Sequence, residues 1–145
     1  MEVDEAILVD ELEAEQAAVE FIKQINEQNI DGIYNMMTFD FLFLDAHGNN
    51  IFGRDKMIAG WAAYFKTYPD YKIEITNVFE SHPYYALFGY ASGTYKGMKD
   101  KENSYHWRLP TAWKALLEGN KIKEWHVYVD TKVISDLVAR ANSPK

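Results

Sequence analysis

Apolar positions recur at steps of three and four in the first half of the chain and at steps of two in the second. Over residues 10–27, Ala14, Ala17, Ala18, Phe21, Ile22 and Ile25 make one stripe of a helix. Gln28-Asn29 breaks that helix, and Asp31 is a candidate N-cap for a short second one over 32–37. The run Phe41-Leu42-Phe43-Leu44-Asp45 is short, aromatic and followed by Gly48-Asn49-Asn50, which predicts a strand and a turn. A third helix is expected over 54–66, with Met57, Ile58, Trp61, Ala62, Tyr64 and Phe65 on its apolar side and Pro69-Asp70 ending it.

From Tyr71 onward the period changes. Residues 71–80 alternate, His82-Pro83 turns the chain, and 84–96 reads as a long strand holding Gly89 and Gly93. Residues 105–117 form another, where Pro110 marks an edge or a bulge. Glu118-Gly119-Asn120 makes a hairpin turn into a last strand at 121–129, and a helix over 132–141 closes the chain. Helices gathered first and hairpins afterwards specify an α+β class. Glycines inside long strands permit bending, so the expected shape is a cone-shaped curved antiparallel sheet with three N-terminal helices enclosing a pocket.

Composition narrows the chemistry. The 145 residues are 48% hydrophobic and 26% charged, which suits one domain with a core of its own. The chain has no cysteine, which removes disulfides, thiolate metal sites and thiol nucleophiles. The four histidines show no paired ligand spacing, so no metal is expected, and no phosphate-binding or dinucleotide glycine motif is present. The net charge of -7 is concentrated in residues 1–20, which carry acids and no Lys or Arg. With no basic stripe, nucleic acid is not an expected partner. No apolar run reaches the roughly 20 residues of a membrane span, so neither is a membrane, and a cytoplasmic location is expected. Residues 1–12 are set apart as an acidic extension and 142–145 as a tail.

With these elements in place, the chain resembles the NTF2-like superfamily, in particular its SnoaL-like and ketosteroid-isomerase-like branches. The residues that carry the likeness are the segment from Phe21 to Ile33, then Phe43-Leu44-Asp45-Ala46-His47-Gly48, then Gly53 ahead of the third helix. Gly119-Asn120-Lys121-Ile122-Lys123-Glu124-Trp125 and Tyr128-Val129-Asp130 complete it. The domain so defined runs over 13–141. The resemblance implies a pocket between the sheet's concave face and the helices, and a homodimer joined through the sheet's open surface. The fold serves isomerases, dehydratases, hydrolases, cyclases and non-catalytic binders alike, so chemistry has to be sought residue by residue.

Asp45 falls where the isomerase branch has its base, at the end of the first strand. The branch's tyrosine position matches Phe21, and its second acid matches Thr111 or Ala112, none of which is as good an oxyanion donor. Steroid isomerisation by that route is not expected. The epoxide-hydrolase type resembles an Arg and two Asp residues around a water. Arg108 is available, but Pro110 and Val127 stand where the acids are needed. Trp61, Trp107, Trp113 and Trp125 are candidate cavity walls or, equally, a packed core. Tyr34, Met37 and Tyr64 are placed at the rim, with Tyr34 or Tyr64 able to supply the hydrogen bond that Phe21 cannot.

If Trp125, Val127 and Val129 face inward, the period of two turns His126 and Tyr128 outward, and His106 and Arg108 likewise if Trp107 points in. His47 is expected in solvent and Asp130 as a helix cap. Two functions follow. One is a cofactor-free isomerase- or lyase-type enzyme using Asp45 as acid/base on a small apolar or carbonyl-containing molecule. The other is a non-catalytic ligand-binding or dimerisation module in which Asp45 caps its own turn.

Overall fold

The computed structural model describes the backbone of residues 5–144 and side chains from Glu13 onward. Residues 1–4, and the side chains of the rest of the acidic extension, lie outside that description. Helix α1 (Glu5–Asn26) is followed by α2 (Ile30–Met36), β1 (Met37–Leu44), β2 (Asn50–Phe52) and α3 (Arg54–Thr67). Then come β3 (Lys72–Ser81), β4 (Tyr84–Thr94), a 3₁₀ turn (Tyr95–Gly97), β5 (His106–Glu118), β6 (Lys121–Val129) and α4 (Lys132–Ala141). The strands form one curved, unclosed six-stranded sheet in the order β2-β1-β6-β5-β4-β3.

Three local expectations change. The sheet is mixed rather than antiparallel, because β1 runs parallel to β6. Residues 50–52 form a short edge strand against β1 rather than only a turn. Helix α2 begins at Ile30 because Asn29, not Asp31, caps it, its Oδ1 accepting the Gly32 N–H at 3.1 Å. Asp31 stands in the first turn, where the helix dipole favours an acid.

Bulges curve the sheet. The β3–β4 register shifts between Ile75 and Asn77. There the β3 backbone presses against Gly89 so closely that a Cβ would collide with the Glu74 carbonyl. Pro110, by contrast, makes no bulge. It pairs in regular register with Tyr90, and β6 ends opposite Thr111, so on that side Pro110 has no neighbour needing its missing N–H.

Helix α1 lies across the concave side. Phe21 is fully buried, with its ring 5.1 Å from Trp125 and 6.3 Å from Trp61. At the helix end the Asn26 side chain acts as one more strand residue. Its Nδ2 donates to the Ile73 carbonyl at 3.0 Å, and its Oδ1 accepts the Ile73 N–H at 2.8 Å. This pair fastens α1 to the start of β3.

Candidate functional site

The concave face, α3 and α4 enclose a cavity of about 630 Å³. Its floor comes from alternate positions of the strands. Phe43 of β1, Trp125, Val127 and Val129 of β6, Trp107, Thr111 and Trp113 of β5, and Ala91 of β4 all line it. Trp107 and Thr111 lie on one face on either side of Pro110, so the strand keeps its alternation through the proline. Arg108 therefore lies on the outer face, its guanidinium 3.8 Å over the Tyr90 ring and 2.9 Å from Glu74. Tyr128 is exposed on the same side.

Of the residues singled out in the sequence, Asp45, Trp61, Tyr64, Trp107, Thr111, Trp113 and Trp125 line this cavity together. Phe21, Met37 and Tyr34 do not. Phe21 and Met37 are sealed in the core beneath it. Tyr34 is outside, where its hydroxyl donates to Asp55 at 2.7 Å and its ring lies under Arg54. The Thr111 hydroxyl is spent on the Leu109 carbonyl at 2.9 Å.

Asp45 combines the two roles considered for it. It lines the cavity, and its Oδ1 accepts the backbone N–H groups of His47 and Asn49, each at 2.9 Å. Partial burial pulls its pKa upward, but the Asn49 and His47 amides outweigh this and hold it below the ordinary aspartate value. The group is thus an ionised turn-capping carboxylate at the cavity's edge. His47, expected in solvent, is exposed yet also borders the cavity, and its Nε2 lies 3.2 Å from Thr131 Oγ1 at the head of α4. Asp130 accepts the Lys132 N–H at 3.0 Å and so braces the first turn of α4.

On the other side of the cavity the sequence pattern reached Tyr64 alone among three tyrosines. Tyr68 and Tyr71 join Tyr64 there, with ring centroids 5.1 Å (Tyr64–Tyr68) and 4.9 Å (Tyr64–Tyr71) apart. Burial raises the pKa of all three phenols, and Tyr64 is raised further by its two neighbours. The signal was the 64, 68, 71 spacing, which follows one helix face past the end of α3. Asp70 fixes this corner, accepting the Thr94 N–H at 2.7 Å and the Thr94 hydroxyl at 2.6 Å. Helix α4 supplies the remaining wall through Ile134, Ser135, Val138 and Ala139.

Among the described residues no group of three or more histidines and acids is placed to hold a metal ion. Nor is any helix among them long and apolar enough to cross a membrane.

The pattern of the SnoaL-like domain matches residues 18–125. The chain belongs to the SnoaL-like domain family. No curated protein sequence matches this SnoaL-like chain. Solved structures do. One described as a SnoaL-like polyketide cyclase from Jannaschia sp. CCS1 superposes with a TM-score of 0.74 at 14% identity, covering 99% of both chains. A protein with a ketosteroid isomerase-like fold from Catenulispora acidiphila, solved in complex with trimethylamine, gives 0.71 at 16% identity over 88% of this chain and 93% of its own. An LEH-like epoxide hydrolase from M. tuberculosis gives 0.73 at 11% identity over 89% and 91%. At these identities the likeness is one of fold, the NTF2-like α+β fold that the family resemblance implied.

Proposed function

We propose that this SnoaL-like protein binds a small, neutral, apolar or carbonyl-containing molecule in the cavity between α3, α4 and the concave face of the sheet. The observation that carries this is the cavity itself. It is large enough for a compact ligand and lined by tryptophan, tyrosine and aliphatic side chains around few polar groups. Neighbours of the same fold described as a SnoaL-like polyketide cyclase and an LEH-like epoxide hydrolase are consistent with small-molecule work.

A second reading, favoured by Asp45 lining the cavity, makes that carboxylate an acid/base group. Its depressed pKa suits a weak base that is ionised at neutral pH, not an acid. The epoxide-hydrolase arrangement is disfavoured, since Arg108 lies on the outer face. The outer face also supports a homodimer. Phe79 and Phe88 pair edge-to-face there with centroids 5.7 Å apart while both stay exposed, and Tyr84 and Tyr128 extend the patch. Titration with an apolar fluorophore tests the cavity. Bright, saturable, one-site binding that a bulky Ala91→Trp variant removes is the expected result, and binding that survives in that variant rejects the site.

A further inference from the structure

The tyrosine corner has more hydrogen-bonding capacity than the protein uses. Tyr64, Tyr68 and Tyr71 line the cavity, and the hydroxyls of Tyr64 and Tyr71 make no hydrogen bond within the chain. Nor are these oxygens sealed in packing, since the buried side-chain atoms without partners among the described residues are Arg54 Nε, Trp61 Nε1 and Trp107 Nε1. Their side chains line the cavity, which leaves these unpaired, unsealed hydroxyls available to a ligand there. The Trp107 indole N–H lies close enough to Tyr68 to lower that phenol's pKa, yet it forms no aligned bond.

Buried phenols and indoles ordinarily find partners. Here two phenols without partners stand side by side, ring centroids 4.9 Å apart, in the apolar wall of a cavity. Burial raises the pKa of each phenol, so all three are neutral O–H donors throughout the physiological range.

We propose that Tyr64 and Tyr71 form the subsite that takes the ligand's uncharged acceptor oxygen, a ketone, enone or quinone carbonyl, and that the cavity discriminates against carboxylates. This rests on the reading of the cavity as a ligand site. The donors stand on α3 and at the head of β3, four strands across the sheet from β1, which Asp45 follows. A ligand reaching both spans the concave face, with its oxygen at the tyrosine end. A carboxylate is disfavoured because no lysine or arginine lines the cavity among the described residues, and neutral donors only partly replace the water a full charge loses.

Three probes of one shape separate these terms: 2-acetylnaphthalene, 2-isopropenylnaphthalene (C=CH₂ in place of C=O) and 2-naphthoate. Affinities come from calorimetric titration of the full chain. The ketone should bind about tenfold more tightly than the alkene, as one or two hydrogen bonds to neutral donors allow, and the carboxylate should bind most weakly. In the Tyr64→Phe/Tyr71→Phe variant the ketone should weaken about tenfold while the alkene is unchanged, with an unaltered melting transition as the fold control. The carbonyl stretch of the bound ketone should lie at lower wavenumber in the wild type and return upward in the variant. Equal binding of ketone and alkene, a gap that survives in the variant, or tightest binding of the carboxylate overturns the subsite while leaving the cavity reading intact. Failure of all three probes overturns both.

Discussion

Replacing Asp45 with asparagine exchanges a charged acceptor for a neutral one of the same shape, whereas alanine removes the acceptor altogether. The side chain receives two backbone N–H groups at 2.9 Å. The turn's main-chain bonds, Asp45 N–H to Asn49 O at 2.9 Å and Gly48 N–H to Asp45 O at 3.1 Å, do not depend on it. Hydrogen bonds to charged groups contribute about 1.5–3 kcal/mol and neutral ones about 0.5–1.5, so Asp45→Asn should destabilise by about 1 kcal/mol at this half-buried site. Asp45→Ala loses both bonds and should cost about 2–3 kcal/mol. For a chain of this length those losses lower Tm by about 3 °C and about 8 °C.

The pH dependence is a second check. The folded pKa of Asp45 is lowered, so its contribution is fully present above the unfolded value of about 3.9 and is lost as pH falls through the folded value. Urea titrations followed by tryptophan fluorescence should therefore show the Asn variant weaker than wild type near neutrality and converging with it at the acid end. A gap that persists in acid, or an Asn variant as unstable as the Ala variant, refutes the turn-cap account. Should a turnover assay exist, an acid/base role adds a loss of about 10²–10⁴ in rate for Asp45→Asn, far beyond its effect on stability.

Gly89→Ala should fail to accumulate as folded protein, by circular dichroism and gel filtration, because its Cβ would collide with the Glu74 carbonyl. Phe21→Ala should destabilise by about 3–5 kcal/mol in urea, since a fully buried ring wedged against Trp125 and Trp61 is lost. A loss under about 1 kcal/mol would show that the site collapses without penalty. Phe88→Lys on the outer face should convert a dimer to a monomer in sedimentation equilibrium, with an unchanged circular dichroism spectrum as the fold control. A wild type that sediments as a monomer removes the dimer proposal.

Much of the fold was readable because its signals are local. The stripe from Ala14 to Ile25, the alternation from Lys121 to Val129 and the closing helix each declare their period within a few residues, and β6 and α4 fall at the expected bounds. Alternation also told which neighbours would turn outward if Trp107 and Trp125 pointed in, and it survived Pro110 because that residue sits beyond the end of β6.

Strand direction has no period, which is why the parallel pairing of β1 with β6 was invisible. Cavity membership follows the same rule. Phe21, assigned to the pocket by family position, is core because α1 presses it onto Trp125. Tyr34, placed at the rim, is drawn outward by Asp55. Tyr68 and Tyr71 flank a turn that Asp70 ties to Thr94, a contact 24 residues away in the chain. The sequence by itself determined the periods, the turns and hence the α+β class. The tertiary structure decided which side chains share the enclosed volume, because convergence there depends on strand direction, sheet curvature and long-range tethers that no local pattern encodes.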